Sequence, residues 1–403
     1  MKIAHVTYYY NDGMGYQDNV LPRYQQKMGH TVAMITTDLT TPFSRQQSRL
    51  GRKQNTGCYF DGNLPILRLP HYAEWEGRFV VFKNLAETLK IEKPDYIFHH
   101  GLNSPSLITC TKYKSAHPSV FFIADNHADL NTSARNKLWR IAYYQKLRPL
   151  ILKPCLKYID LVFGVTPARC FFAEKIIGIP RNKIRLLPIG ADTDTADKTV
   201  SSKNKEDNGL RLSELKLVTG GKWTKNKRLD ILLKSIEGLN VHLNIFGRIE
   251  DPEVQGMISG QENVSFLGWQ DRENTLRLLA DADLALWPGQ HTTLMEDAVA
   301  TNTPLLLRYH GSTSHHIRGN GAYFFSSNPM EIRQHLEMII KNPEILIKMK
   351  QHTKVQRDLL SYDQVAKDSI DYYYDQEPKT IHRAYMEDPF CNPKNPDFER
   401  INL

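Results

Sequence analysis

Short apolar, β-branched runs recur along the first half of the chain, at Ile3 to Tyr9, Thr31 to Thr37, Leu64 to Leu69, Tyr96 to His99, Val120 to Ala124 and Leu161 to Val165. Between most of them lie segments of helical pattern, among them Asp18 to Met28, Arg78 to Ile91 and Asn103 to Ser115. Strand-length runs alternating with helix-length segments predict a mainly parallel sheet with helices on both faces. The polar stretch Thr193 to Asn208 offers almost nothing to bury and reads as a linker between domains. The alternation then restarts with Leu215 to Thr219, Leu229 to Glu237, Val241 to Phe246, Val264 to Leu267, Leu284 to Trp287 and Pro304 to Arg308. After Asn342-Pro343, two further helical segments run to about Tyr374, and the tail from Gln376 is rich in Pro and Asp. The pattern predicts two doubly wound α/β domains, in which ligands sit at the carboxyl ends of strands.

A length of 403 residues suits two domains better than one core. Apolar content of 41% and charged content of 24% exclude a disordered chain. No run approaches the ~20 apolar residues that a membrane-spanning helix needs. The N-terminal MKIAHVTYYYNDG reads as a buried first strand, without the small-residue cleavage site of a secretory signal. Cys58, Cys110, Cys155, Cys170 and Cys391 are scattered and form no Cys-x-x-Cys pair, which suits reduced thiols in a cytoplasmic protein. Net charge is +8, and the first 195 residues carry roughly +11, leaving the remainder slightly acidic. The basic half either faces an anionic partner or is simply well solvated.

Candidate chemistry gathers after two predicted strands of the second half. Gly220-Gly221-Lys222 ends one strand and leads to Lys227; the glycines let backbone approach a ligand, and the lysines can meet a diphosphate as point charges. Trp287-Pro288-Gly289-Gln290-His291-Thr292-Thr293 leads into a helix containing Glu296, with Thr292 or Thr293 suited to cap it and free amides suited to phosphate. Glu296 can accept hydrogen bonds from vicinal hydroxyls such as those of ribose, or it is a first-turn glutamate favoured by the helix dipole. In the first half, Gly13 and Gly15 follow the opening strand but lack the third glycine of a dinucleotide fingerprint. Asp125-Asn126-His127-Ala128-Asp129 follows a buried strand, which puts His127 at a ligand-facing edge. Asp281-Ala282-Asp283 reads as a helix end and not as a metal site, and the adjacent pairs His99-His100 and His315-His316 diverge if they lie in strands, so no metal is expected.

In order and spacing these residues resemble glycosyltransferase family 4, the retaining nucleotide-sugar enzymes of the GT-B fold. The resemblance spans almost the whole chain to about Tyr374. It runs through the opening strand and Gly loop, Gly29-His30-Thr31-Val32, Asn182 to Asp192, Gly221-Lys222 with Lys227, Asn263 to Trp269, and Glu296-Asp297-Ala298 followed by Pro304. It implies two Rossmann-like domains facing across a cleft, with a C-terminal helix crossing back to the first. Residues 1–195 would bind the acceptor, 196–210 would be the linker, 211–360 would bind the nucleotide sugar, and 361–403 would be the C-terminal helix and tail. The matching positions imply that Lys222 and Lys227 stabilise the leaving diphosphate, Glu296 holds the donor ribose and His127 contacts the transferred sugar. Gly13, Gly15, Gly221, Gly289, Gln290, His291, Thr292 and Thr293 would surround the donor. The family's first glutamate falls at Pro288, so a sugar-seating carboxylate is missing. The implied transfer needs neither an enzyme nucleophile nor a metal, and a UDP-sugar is the favoured donor.

The basic, aromatic helix Arg135 to Arg148 can rest on an anionic membrane surface, where a lipid-linked acceptor is found, or it is a solvated helix with its aromatics in the core. The resulting expectation is a bacterial enzyme of polysaccharide synthesis, cytoplasmic and peripheral at the inner membrane face, acting on a saccharide or lipid-linked acceptor. A nucleic-acid partner is not expected, because no recognised module is present. A relative without turnover that binds a nucleotide sugar or a partner protein is the alternative, on the strength of Pro288.

Overall fold

The computed structural model describes residues 1–41, 52–75, 79–130, 133, 134, 136–200, 214–250 and 252–376. They divide into two units: Met1–Pro188 together with the chain from Val365, and Ile189–Gln364. In the first unit, strands β1 (Lys2–Val6), β2 (Thr31–Thr37), β3 (Gly57–Asp61), β4 (Leu64–Leu69), β7 (Tyr96–His99), β8 (Phe121–Asn126), β9 (Leu161–Gly164) and β10 (Ile184–Leu186) form one sheet. Its order is β10-β9-β8-β7-β1-β2-β4-β3, and every pairing is parallel except the β3–β4 hairpin. Strands β5 (His71–Trp75) and β6 (Phe79–Phe82) make a separate antiparallel pair. Central strands buried on both faces explain why Tyr96–His99 and Leu161–Gly164 read as unbroken apolar runs and do not alternate.

The second unit repeats the architecture. Strands β11 (Leu215–Trp223), β12 (Val241–Ile249), β13 (Val264–Phe266), β14 (Leu284–Trp287), β15 (Leu305–Arg308) and β16 (Gly321–Phe324) lie in the order β13-β12-β11-β14-β15-β16, all parallel. Its core sets Leu217, Ile245 and Leu286 of the sheet against Leu232, Leu276 and Met295 of the helices. In each unit the strand order turns about the first strand, β1 between β2 and β7, β11 between β12 and β14. Those reversals part the adjoining loops and open a crevice at the strand ends.

Two expectations are corrected. The segment read as a helix from Arg78 contains strand β6 at Phe79–Phe82, and helix begins only at Leu85, after Asn84 at φ 64°; the β-branched and aromatic run FVVF prefers a pleated surface. Arg78 itself lies outside the described residues. The linker reading fails at its start, because Thr193–Val200 is a helix of the second unit; Arg357 holds it through the Thr193 carbonyl at 3.3 Å and Asp197 at 2.6 Å. Residues 201–213, the C-terminal tail from 377 and Cys391 lie outside the described residues. Strands β3, β5, β10 and β16 are short or edge elements that the apolar runs did not reveal. The C-terminal helix Tyr362–Asp371 joins the first unit from Val365, as the resemblance implies: Tyr96 donates to the Ser369 carbonyl at 2.6 Å and Gln25 to the Ser369 hydroxyl at 3.0 Å.

Candidate functional site

At the strand-order reversal of the second unit, the loop after β11 meets the loop after β14. Gly289 makes the approach possible, since a Cβ there would lie 2.8 Å from the Lys227 Cα. The contact brings the Lys227 ammonium to the carbonyls of Gln290 (3.2 Å) and His291 (3.1 Å). Desolvation by burial lowers the Lys227 pKa to about 8, so at neutral pH it is still mostly cationic. Lys222 is placed differently: 64% exposed, it pairs with Glu250 at 3.2 Å. Gly221 has φ 145° and open space where a Cβ would stand, leaving its backbone free for close approach. Pro288 and Gly289 are buried, while Gln290, His291 and Thr292 are half-buried. The expected threonine cap is absent. Thr293 precedes helix Leu294–Ala300 with helical backbone (φ −62°, ψ −12°) and no side-chain cap bond, because a capping hydroxyl needs an extended residue from which to turn back.

Glu296 is only 2% exposed. Its Oε1 accepts from His291 Nε2 at 2.7 Å, and His316 Nε2 lies 3.2 Å away. Burial alone would raise this carboxyl, but the His291 and His316 rings outweigh it and hold the group below the usual carboxylate range. Oε2 is buried with no hydrogen-bond partner among the described residues. The neighbouring Asp297 serves another partner, Arg272 Nη1 at 2.5 Å. His315 and His316 lie in the turn after β15 and not in a strand, with ring centroids 4.1 Å apart, so the expected divergence does not apply. His316 is the residue that sequence reasoning missed, because only the fold-back of the 309–320 loop brings it to a carboxylate 20 positions earlier in the chain. A second missed feature is an open depression at the ends of β12 and β13, lined by Gly247, Arg248, Phe266, Gly268 and the exposed ring of Trp269.

In the first unit, His127 follows β8 and is 44% exposed in its side chain, with Nε2 3.2 Å from Asp125 Oδ2. The same buried Asp125 accepts from the Gly101 amide at 2.5 Å and from His100 Nδ1 at 3.1 Å. His100 Nε2 meets His5 Nδ1 at 2.9 Å, and His5 Nε2 meets Gln25 Oε1 at 2.6 Å. Since a carboxylate and an amide oxygen only accept, His100 Nδ1 and His5 Nε2 each carry a proton, and one further proton lies between the two rings; the buried His5, whose pKa desolvation lowers, leaves it to His100 beside Asp125. Although burial opposes it, Asp125 accordingly raises the His100 pKa. Gly13, at φ 70°, donates its amide to Asp61 at 3.1 Å, which also holds Tyr10 and Arg23. That amide is committed to the loop's own structure, so the expected donor contact is not available from it; Gly15 is exposed.

No family model matches the sequence, and no curated protein matches it. Solved structures do match. A glycosyltransferase from Rickettsia africae ESF-5 superposes with a TM-score of 0.63 at 14% identity, covering 93% of this chain and 98% of that one. Anabaena Alr3699/HepE in complex with UDP gives 0.63 at 12% identity over 93% and 100% of the two chains. WaaG, a glycosyltransferase involved in lipopolysaccharide biosynthesis, gives 0.59 at 14% identity over 92% and 99%. The fold is that of the GT-B glycosyltransferases, built from two Rossmann-like units.

Proposed function

We propose that this protein is a retaining glycosyltransferase that moves a sugar from a nucleoside-diphosphate sugar to a saccharide or lipid-linked acceptor in cell-surface polysaccharide synthesis. The observation that carries the reading is the buried, anionic Glu296, held beside the Lys227 loop at the strand-order reversal of the second unit. Its uncommitted Oε2 is suited to accept from a ribose hydroxyl, and the Lys227 ammonium with the open Gly221 backbone to meet a diphosphate. Trp269 and Arg248, at the ends of neighbouring strands, suit a nucleobase through stacking and hydrogen bonding. UDP-sugars are the favoured donors, in keeping with HepE, which has been solved with UDP and with UDP-glucose.

In the proposed reaction the bond from the anomeric carbon to the diphosphate oxygen loosens, and negative charge grows on the leaving phosphate. Lys227 and Lys222 would stabilise that charge, the leaving oxygen would take the acceptor hydroxyl's proton on the same face, and no step needs a metal. His127, oriented by Asp125, would contact the transferred sugar. A donor panel tests the reading: a UDP-sugar should raise the melting temperature of the full chain by mass action and release UDP in the presence of acceptor. Binding without release for every donor and acceptor would favour the rival reading, a binding protein without turnover. One observation speaks for that rival, since Pro288 is buried and supplies no polar group where the family has a carboxylate.

The membrane part of the reading draws on the Arg135 to Arg148 segment, of which Arg135 lies outside the described residues and 137–148 form one helical run that continues to 156. Tyr143, Tyr144 and Arg148 are buried, but Leu138 (78% exposed), Leu147, Leu150 (72%) and Ile151 project outward among Lys137, Arg140, Lys146 and Lys153. Apolar residues interleaved with basic ones suit an anionic bilayer surface. None of the described helices is long and apolar enough to cross a membrane. The protein should co-sediment with phosphatidylglycerol vesicles at low salt, and the double substitution Leu138→Asp, Leu150→Asp should reduce the bound fraction by about tenfold or more. Equal sedimentation of parent and variant would remove the proposed placement at the inner face of a bacterial cytoplasmic membrane.

A further inference from the structure

His291, Glu296 and His316 come from three separate elements, a loop, a helix and a turn, yet each offers a ligand atom and these three atoms all lie within 4.8 Å of one another. Both histidines are anchored from behind. The His291 carbonyl is tied to Lys227 at 3.1 Å. His316 Nδ1 lies 3.1 Å from the Thr313 carbonyl, and Thr313 is itself fixed by its hydroxyl on the Arg308 carbonyl at 2.6 Å and by Tyr323 on its own carbonyl at 2.9 Å. A carbonyl only accepts, so the His316 Nδ1 carries a proton and a neutral ring turns the Nε2 lone pair toward Glu296 Oε1 at 3.2 Å. Two acceptors face one another there unless a cation, either a proton or a metal ion, lies between them. The second oxygen, Oε2, is buried with no hydrogen-bond partner among the described residues, so the carboxylate has coordination capacity to spare.

We propose that His291, Glu296 and His316 form a binding site for a zinc-class transition-metal ion. Two imidazoles and a carboxylate suit Zn2+ and not the all-oxygen shells of Mg2+ or Ca2+. With bonds of about 2.0–2.2 Å, tetrahedral ligand atoms stand about 3.3–3.6 Å apart. The 2.7 Å separation here must open by about 0.6–0.9 Å and the 3.2 Å one by about 0.1–0.4 Å, while the two imidazoles, whose ligand atoms lie within 4.8 Å, come to the same spacing. The backbone hydrogen bond at His316 Nδ1 is the outer contact that orients a metal-bound imidazole. Zinc held on Oε1 would draw charge from the carboxylate whose other oxygen, Oε2, is the proposed ribose acceptor, and so weaken donor binding; zinc would then act as an inhibitor of this enzyme and not as its cofactor. That consequence rests on the proposed function, whereas the metal site does not.

The test is titration of the chelator-treated full chain with Co2+ and with Zn2+, in the absence of any nucleotide. One equivalent of Co2+ should develop the intense visible band of a low-symmetry, four-coordinate ion, zinc should displace it, and Mg2+ should not. His316→Ala and His291→Ala, each checked for native circular dichroism, should weaken zinc binding by about 100-fold or more, and His242→Ala, outside the site, should leave it unchanged. X-ray absorption of the zinc-loaded parent, which needs no variant, should show an N/O shell with imidazole scattering. No saturable binding, a shell containing sulfur, or affinity unaltered in both site variants would overturn the proposal. Failure to bind UDP by metal-free protein would count against the donor reading alone.

Discussion

Glu296→Ala and Lys227→Ala are expected to cripple nucleoside-diphosphate release from the preferred donor in different ways. Glu296 would bind ribose hydroxyls that are present equally in the ground and transition states, so its loss should raise KM while sparing kcat. Hydrogen bonds to an ionised carboxylate contribute about 1.5–3 kcal/mol each, which puts the fall in kcat/KM at about 10- to 100-fold or more. Lys227 would meet charge that develops as the glycosidic bond breaks, so its loss should appear in kcat, by about 100- to 1,000-fold. The lysine also ties the carbonyls of Gln290 and His291, so Lys227→Arg is the necessary companion, keeping the charge and testing the loop. Steady-state kinetics with UDP release as the readout would decide. If both alanine variants match the parent, neither residue belongs to the donor site.

Acid should destabilise the first unit as the pH falls from about 6.5 toward 4, chiefly through two buried histidines. His5 and His99 are completely buried, and desolvation is the largest influence on each, lowering their pKa values to about 3 and about 4. For His99, Nδ1 lies 2.7 Å from the Gly101 carbonyl and Nε2 lies 2.8 Å from the Ser106 hydroxyl, so both ring nitrogens are already satisfied inside the fold. The unfolded chain takes up a proton at each ring below about pH 6.5, and the folded one does not. Stability from both is therefore complete above about 6.5 and drains away as the pH falls toward 4. At pH 4.5 each costs on the order of 2–3 kcal/mol, together a large share of a domain's net stability. The charged neighbours shape this window without reversing it. His100 is buried, but Asp125 raises its pKa, so its contribution is present below 6.5 and lost as the pH rises through the folded value. Asp125, despite burial, is held low by His127 and His100 and keeps its contribution until strongly acid pH. Asp18, whose own pKa burial raises, also acts on His100. Urea unfolding at pH 7.5, 6 and 4.5 should show a falling midpoint, and His99→Gln should flatten the slope by about one histidine's share. An unchanged slope in that variant would show that His99 does not remain neutral in the fold.

The repeating alternation of apolar strands and helical segments was enough to specify two parallel α/β units, because burial on both faces of a central strand leaves a local trace, as in Tyr96–His99 and Leu284–Trp287. It also located Glu296, Lys227 and Gly289, since glycine-bearing turns follow directly on such strands. Edge elements such as β3 and β5 left no comparable trace, because half-exposed strands mix polar and apolar residues. The partners of the site residues were not legible at all. That Lys227 clamps the loop of Gln290 and His291 while Lys222 pairs with Glu250 depends on which loop ends the sheet order sets side by side. That His316 shares a carboxylate with His291 depends on how the 309–320 turn folds back. Residue types and turns are local properties and survive in one dimension; convergence on a single oxygen is a long-range property, and only the packed sheet decides it.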